Sequence, residues 1–112
     1  MYDLQERTAQ FGESIIDFCM TLKRDEISRP LINQVIRSST SIGANYAEAN
    51  GAISKKDFRN KIFICKKEAH ETKHWLRMIA HYTPEKKDEI AKLNKECHEL
   101  VLIFQKIGSS SK

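Results

Sequence analysis

His70-Glu71-Thr72-Lys73-His74 fits the pattern H-E-x-x-H. On a helix, imidazoles at i and i+4 share a face and can hold a zinc ion while the Glu acts as general base of a metallopeptidase. The surrounding residues argue against that chemistry. Lys73 stands between the Glu and the second His, where zincins keep charge out. Lys66, Lys67, Lys73 and Arg77 surround the site, and cations repel a dication. The metzincin continuation needs Gly and His where this chain has Arg77 and Ala80. Glu89, Glu96 or Glu99 are the available third ligands, but a lone helical bundle offers no edge strand on which to align a peptide. A zinc peptidase is therefore the remote alternative. No metal ligand, catalytic residue or cofactor is assigned.

Other catalytic patterns are missing from the sequence. There is no phosphate-cradling G-x-x-x-x-G-K-[ST] or G-x-G-x-x-G and no G-x-S-x-G elbow. A di-iron bundle needs E-x-x-H on two core-facing helices, and only Glu71-Thr72-Lys73-His74 supplies one. Cys19, Cys65 and Cys97 are odd in number, widely spaced and without C-x-x-C, as expected of free thiols in a reducing compartment.

Four amphipathic stretches must position these residues. The first runs from Asp3 to Lys23 along Leu4, Thr8, Phe11, Ile15, Phe18 and Leu22, a helical seam in steps of four and three. Ser28 is placed to cap the second, which runs from Pro30 to Asn50 along Ile32, Val35, Ile36, Ser39, Ile42, Tyr46 and Ala49. Gly43 in its middle implies close packing, since glycine costs a helix interior up to about 1 kcal/mol relative to alanine. The third stretch, Ser54 to Tyr82, opens on a Ser54/Asp57 capping pair. Its seam is Phe58, Ile62, Cys65, Ala69, Thr72, Leu76 and Ile79. Thr83-Pro84-Glu85 turns the chain into a fourth helix reaching Ile107, and Gly108 stands where a C-cap glycine belongs. Short connections make neighbours antiparallel, so the expected fold is all-α, an up-down-up-down four-helix bundle. Residues 1–107 form one domain and 108–112 a flexible tail.

The charge on this framework is uneven. Residues 55–82 carry 8 basic and 3 acidic side chains, whereas residues 1–29 carry 4 and 6; the whole chain has formal charge +4. On a helical wheel Lys55, Arg59, Lys66, His70, Lys73, Arg77 and His81 fall within a sector of about 80°, about 100° from the core seam. A stripe of that length can follow a phosphate backbone, with Lys56 beside it. A plain solvated helix face is the competing interpretation. Ile64, Trp75 and Met78 gather with Glu71 on a third face, with Phe63 at its edge. An extra apolar face holding the only Trp points to an interface between subunits. Asn45 and Glu48 flank the second helix and are placed to hydrogen-bond to helix three or to a neighbouring subunit.

Composition fits this picture. The 112 residues allow one domain, and 40% hydrophobic residues with 4 Gly and 2 Pro favour helices over a many-turned β-fold. No apolar run approaches the ~18 residues that span a bilayer, and the first residues are polar, without a signal-peptide core. The expected location is cytoplasmic.

The segment Arg37-Ser38-Ser39-Thr40-Ser41-Ile42-Gly43-Ala44-Asn45-Tyr46-Ala47-Glu48-Ala49, then Ser54-Lys55-Lys56-Asp57-Phe58, Lys67-Glu68-Ala69-His70-Glu71-Thr72 and Trp75-Leu76, resembles the four-helix bundle proteins encoded in bacterial 23S rRNA intervening sequences. The order of motifs is kept over nearly the whole chain. One departure is Ala49, where the family usually has Gly after the Glu. The resemblance implies a non-enzymatic subunit that assembles as a ring, typically a homopentamer. Similar bundles are accessory subunits of diversity-generating retroelements, where a basic ring binds nucleic acid and a reverse transcriptase.

The first expectation is thus an oligomeric bundle that binds RNA or other nucleic acid through Lys55, Lys56, Arg59, Lys66, Lys73 and Arg77, contacting phosphates without reading sequence. The alternative is a protein–protein adaptor that docks an acidic partner or a nucleic-acid enzyme.

Overall fold

The computed structural model describes residues 3–110. It contains helices α1 (Leu4–Met20), α2 (Ser28–Asn50), α3 (Lys55–Tyr82) and α4 (Lys87–Ser110), with a single 3-10 turn at Pro84–Lys86 leading into α4. Each helix packs against its neighbours in the order α1, α2, α3, α4 and back to α1. The backbones of diagonal pairs stay apart, and α2 and α3 share the most extensive contact. This is the antiparallel four-helix bundle that the periodicity predicts.

The seams form the core. Leu4, Phe11, Ile15 and Phe18 of α1 meet Ile32, Val35 and Ile42 of α2, Ile62, Leu76 and Ile79 of α3, and Ile90, Leu100, Val101 and Phe104 of α4, all buried. Polar side chains inside this core satisfy one another. Between α2 and α3 the Ser38 and Thr72 hydroxyls lie 2.8 Å apart, and Thr72 Oγ1 donates to the Glu68 carbonyl at 2.9 Å. Cys97 Sγ donates to the Ala69 carbonyl at 3.1 Å and Cys65 Sγ to that of Ile42 at 3.5 Å. All three cysteines are free and buried.

The helix ends differ from the sequence expectation at three places. Helix α1 stops at Met20 rather than Lys23, because Thr21 turns back and both its N–H and its hydroxyl bond the Phe18 carbonyl. Ser28 does not cap α2 but is its first residue. The capping role falls to Asp25, whose Oδ1 accepts from the N–H groups of Ile27 at 2.9 Å and Ser28 at 2.8 Å, while Oδ2 accepts the Tyr82 hydroxyl at 2.6 Å. Ser28 Oγ in turn donates to the Lys23 carbonyl. At the other end α4 does not stop at Gly108 but continues to Ser110, with residues 111 and 112 outside the described range. The Ser54 cap forms as expected, Oγ accepting from Asp57 N–H at 3.0 Å.

Candidate nucleic-acid interface

Helix α3 is 28 residues long, or about 42 Å at 1.5 Å per residue. One side of it faces α2 and the other α4, and the two sides carry opposite charge. On the α2 side Glu68 and Glu71 share Arg37. Arg37 Nη1 donates to Glu68 Oε2 at 3.3 Å, and Nη2 donates to Glu71 Oε1. Trp75 Nε1 also reaches Glu71 Oε1, at 3.4 Å. Burial raises the Glu68 carboxyl above its ordinary range, helped by its hydrogen bond with Glu71; the Arg37 charge opposes but does not cancel this. Partial burial works against the Glu71 charge, but bonds from Glu68 and Trp75 and the charge of Arg37 outweigh it and hold Glu71 low.

The α4 side carries the basic stripe. Lys55, Lys56, Arg59 and Arg77 are exposed, Lys66 and Lys73 half-buried. Among the described residues none of these six lies within ion-pair distance of a carboxylate. Lys66 Nζ sits 5.9 Å from the centre of the Phe63 ring, and Lys73 Nζ lies 3.1 Å from His98 Nδ1 on α4. Elsewhere Arg7, Arg37, Lys61 and Lys86 are ion-paired. Arg7 holds Glu96 through two bonds of 2.8 Å, and Lys61 Nζ binds Glu48 at 3.0 Å.

Two grooves lie between α3 and α4 along the stripe. One, of about 570 Å³, runs past Lys73, His74, Arg77, Lys87 and Asn94 over an apolar floor of Ala80, Ile90 and Ala91. The other, of about 280 Å³, is edged by Arg59, Phe63, Lys66 and Gln105. Lys87 and His98 therefore extend the basic face onto α4. Sequence reasoning missed them because one helix's periodicity does not show how it registers against the next. A wheel of α4 does hold the signal, since Lys87, Asn94, His98 and Gln105 share one side and Glu89 and Glu96 another.

The other expected residues are distributed differently. Ile64, Glu71, Trp75 and Met78 are half-buried on the α2 side of α3, with Trp75 packed against the core. Part of that extra apolar face is thus used within the chain. Glu48 reaches helix α3 through Lys61, while Asn45 Nδ2 donates to the Ser41 carbonyl of its own helix at 2.8 Å. In the H-E-x-x-H stretch, His70 and His74 are exposed and the Glu71 carboxylate turns away to Arg37 and Trp75. Among the described residues no three His, Cys, Asp or Glu side chains converge on a point that could hold a metal.

Fold and charge together define a small antiparallel helical bundle with one long cationic side. The family model of the 23S rRNA-intervening sequence protein matches residues 2–106, and the chain belongs to that family. It is similar to a crystal structure of a protein of unknown function from the S23 ribosomal protein family of Bacteroides thetaiotaomicron VPI-5482. The two are 29% identical with a TM-score of 0.86, over 95% of this chain and 98% of that one. No curated protein matches. Among the described residues no helix is long and apolar enough to cross a membrane.

Proposed function

We propose that this bundle is a non-enzymatic, cytoplasmic protein that binds structured RNA along the α3/α4 side. The observation that carries the reading is the gathering of six cations along one helix with no described carboxylate in ion-pair distance of any of them. From Lys55 to Arg77 the row spans about 33 Å along the helix axis, enough to follow several phosphates. Leaving six cations unpaired gives up intramolecular attraction, and a polyanion restores it.

Binding of this kind is set by counterion release. The logarithm of affinity falls with the logarithm of salt concentration by about 0.9 per phosphate contact on a duplex. Fluorescence anisotropy with a labelled RNA hairpin at several salt concentrations tests it. The expected result is a steep slope in the wild type and a slope lower by about 2.7 in Lys66→Gln/Lys73→Gln/Arg77→Gln. An affinity that ignores salt, or an unchanged slope in the variant, overturns the reading.

We propose further that the chain assembles as a ring, in line with the family resemblance. The half-buried Ile64, Trp75 and Met78 supply its apolar contact. A solution mass of about five times the 13.0 kDa chain is expected, and a monomer at all concentrations removes the ring. A second reading, docking of an acidic protein partner, is favoured by Phe63, which is 61% exposed among these cations. If Phe63→Ala weakens binding to a purified acidic partner while RNA affinity holds, that reading prevails.

A further inference from the structure

All four histidines of the chain lie on the basic side of the bundle. His70, His74 and His81 sit on the outward and α4-facing surface of α3, and His98 meets α3 from α4. Two of them belong to one cluster. Lys66 and Lys73 lie one helical turn to either side of His70, and His98 contacts Lys73 across the groove.

The charged groups facing this cluster are all cationic or titratable to cations. From α3 they are Lys66, Lys73 and Arg77; from α4 they are His98 and, further along, Lys87. The acids of α3 turn the other way, Glu68 and Glu71 to Arg37. On α4, Glu96 and Glu99 pair with Arg7 of α1, and Glu89 with Lys86. Asp88 stands ten residues before His98, about 15 Å along the axis.

The contact between Lys73 and His98 depends on the protonation of His98. An ammonium has only donors, so the 3.1 Å contact is a hydrogen bond only when His98 Nδ1 carries no proton and accepts. Burial holds His70 below the ordinary imidazole range, and the charges of Lys73 and Lys66 and the nearby His98 add to this. A proton taken up by His98 breaks the bond from Lys73 and places two cations side by side. An anion removes that conflict, because one phosphate oxygen can accept from Lys73 Nζ and from the newly protonated Nδ1 together. Anion and proton therefore favour each other's binding, and by linkage the coupling is the same in both directions.

We infer that Lys66, His70, Lys73 and His98 form a phosphodiester-binding cluster in which the two imidazoles set occupancy, so that the protein holds RNA more tightly as pH falls through the histidine range. The proposal rests on the nucleic-acid reading of this face and adds to it a site and a control.

The test has two arms. In the first, anisotropy with the RNA hairpin is followed from about pH 8 to about pH 5.5 at constant ionic strength, across the imidazole range. The wild type is expected to gain about tenfold in affinity, and His70→Gln/His98→Gln to lose most of that gain. His70 and His98 are exposed, so the double variant should fold. In the second, the histidine C2 protons are followed by NMR as inorganic phosphate is added. The His70 and His98 resonances should move on phosphate addition, while those of His74 and His81 stay nearly in place. RNA binding that is steep in salt but flat in pH, or a full pH gain in the double variant, overturns the cluster and leaves the RNA reading intact. Should no RNA bind at any pH, that reading fails and the phosphate arm decides the cluster alone. Unmoved His70 and His98 resonances then overturn it, and shifted ones support it as a phosphate site.

Discussion

Glu68 and Glu71 lie one turn apart on α3 and share Arg37, yet their carboxyls are displaced in opposite directions from the ordinary 4.5. Glu68 is 8% exposed, and burial raises it. The favourable part of its contribution is present below pH 4.5 and lost as pH rises through the raised value. Glu71, held low, contributes above 4.5 and loses that as pH falls through its depressed value. Urea unfolding at a series of pH values should separate them. Glu68→Gln is expected to be at least as stable as wild type at pH 7, with the advantage fading below pH 4.5. Glu71→Gln should lose up to about 1 kcal/mol at pH 7 and little in acid. A Glu68→Gln protein weakened at neutral pH but not in acid would show that Arg37 outweighs burial. Burial acts on the thiols too, pushing Cys19 up to about 11 and Cys65 and Cys97 to about 12. Thiol reagents at pH 8 should label none of them in the folded protein and all three in denaturant. The Arg37 bridge also shows what a local motif hides. H-E-x-x-H was legible at once, but the partner that engages its Glu lies 34 residues away.

At the scale of the helices, the seams were legible because a 3.6-residue period reports burial directly, and the seam residues of all four stretches are buried or half-buried. The ends were less so. The start of α2 depends on Asp25, whose carboxylate also accepts from Tyr82 at the end of α3, a contact no local pattern contains. Two glycines show how close approach separates cases that look alike in sequence. A Cβ on Gly12 would meet its nearest neighbour, Thr40, at an ordinary 3.6 Å, whereas one on Gly43 would lie 3.3 Å from Thr8 Oγ1. That hydroxyl is buried and held by the Gln5 carbonyl at 2.9 Å, so it has little room to yield. Gly12→Ala should therefore stabilise the protein by up to about 1 kcal/mol through helix propensity. Gly43→Ala should fall short of that gain, and Gly43→Val should cost about 1–3 kcal/mol. Equal gains at both positions in denaturant titrations would mean that α1 and α2 can move apart at Gly43 without penalty.

The whole molecule is a rod of 44 × 24 × 19 Å with a row of cations along one side, unpaired among the described residues. The α1/α4, α2/α3 and α2–Lys61 contacts are neutralised by Arg7–Glu96, Arg37–Glu68 and Lys61–Glu48, while the α3/α4 side keeps its cations apart from any described acid. Like charges held together on a folded surface repel more than in an extended chain, so this side costs stability that a polyanion or salt relieves. Lys66→Glu/Lys73→Glu/Arg77→Glu removes the repulsion and supplies local partners for the remaining cations. It should melt above the wild type at about 10 mM salt, where the Debye length is about 30 Å. The difference should shrink toward zero near 1 M, where screening acts within about 3 Å. Added RNA should raise the melting temperature of the wild type, because a ligand that binds only the folded state stabilises it by mass action, and leave the variant where it was. In a ring each copy adds the same unneutralised side, which makes the low-salt difference larger for the assembly than for one chain. A wild type that melts above the charge-reversed variant at low salt would mean the cations stabilise the fold, and the case for a face kept unpaired for a polyanion would fall with it.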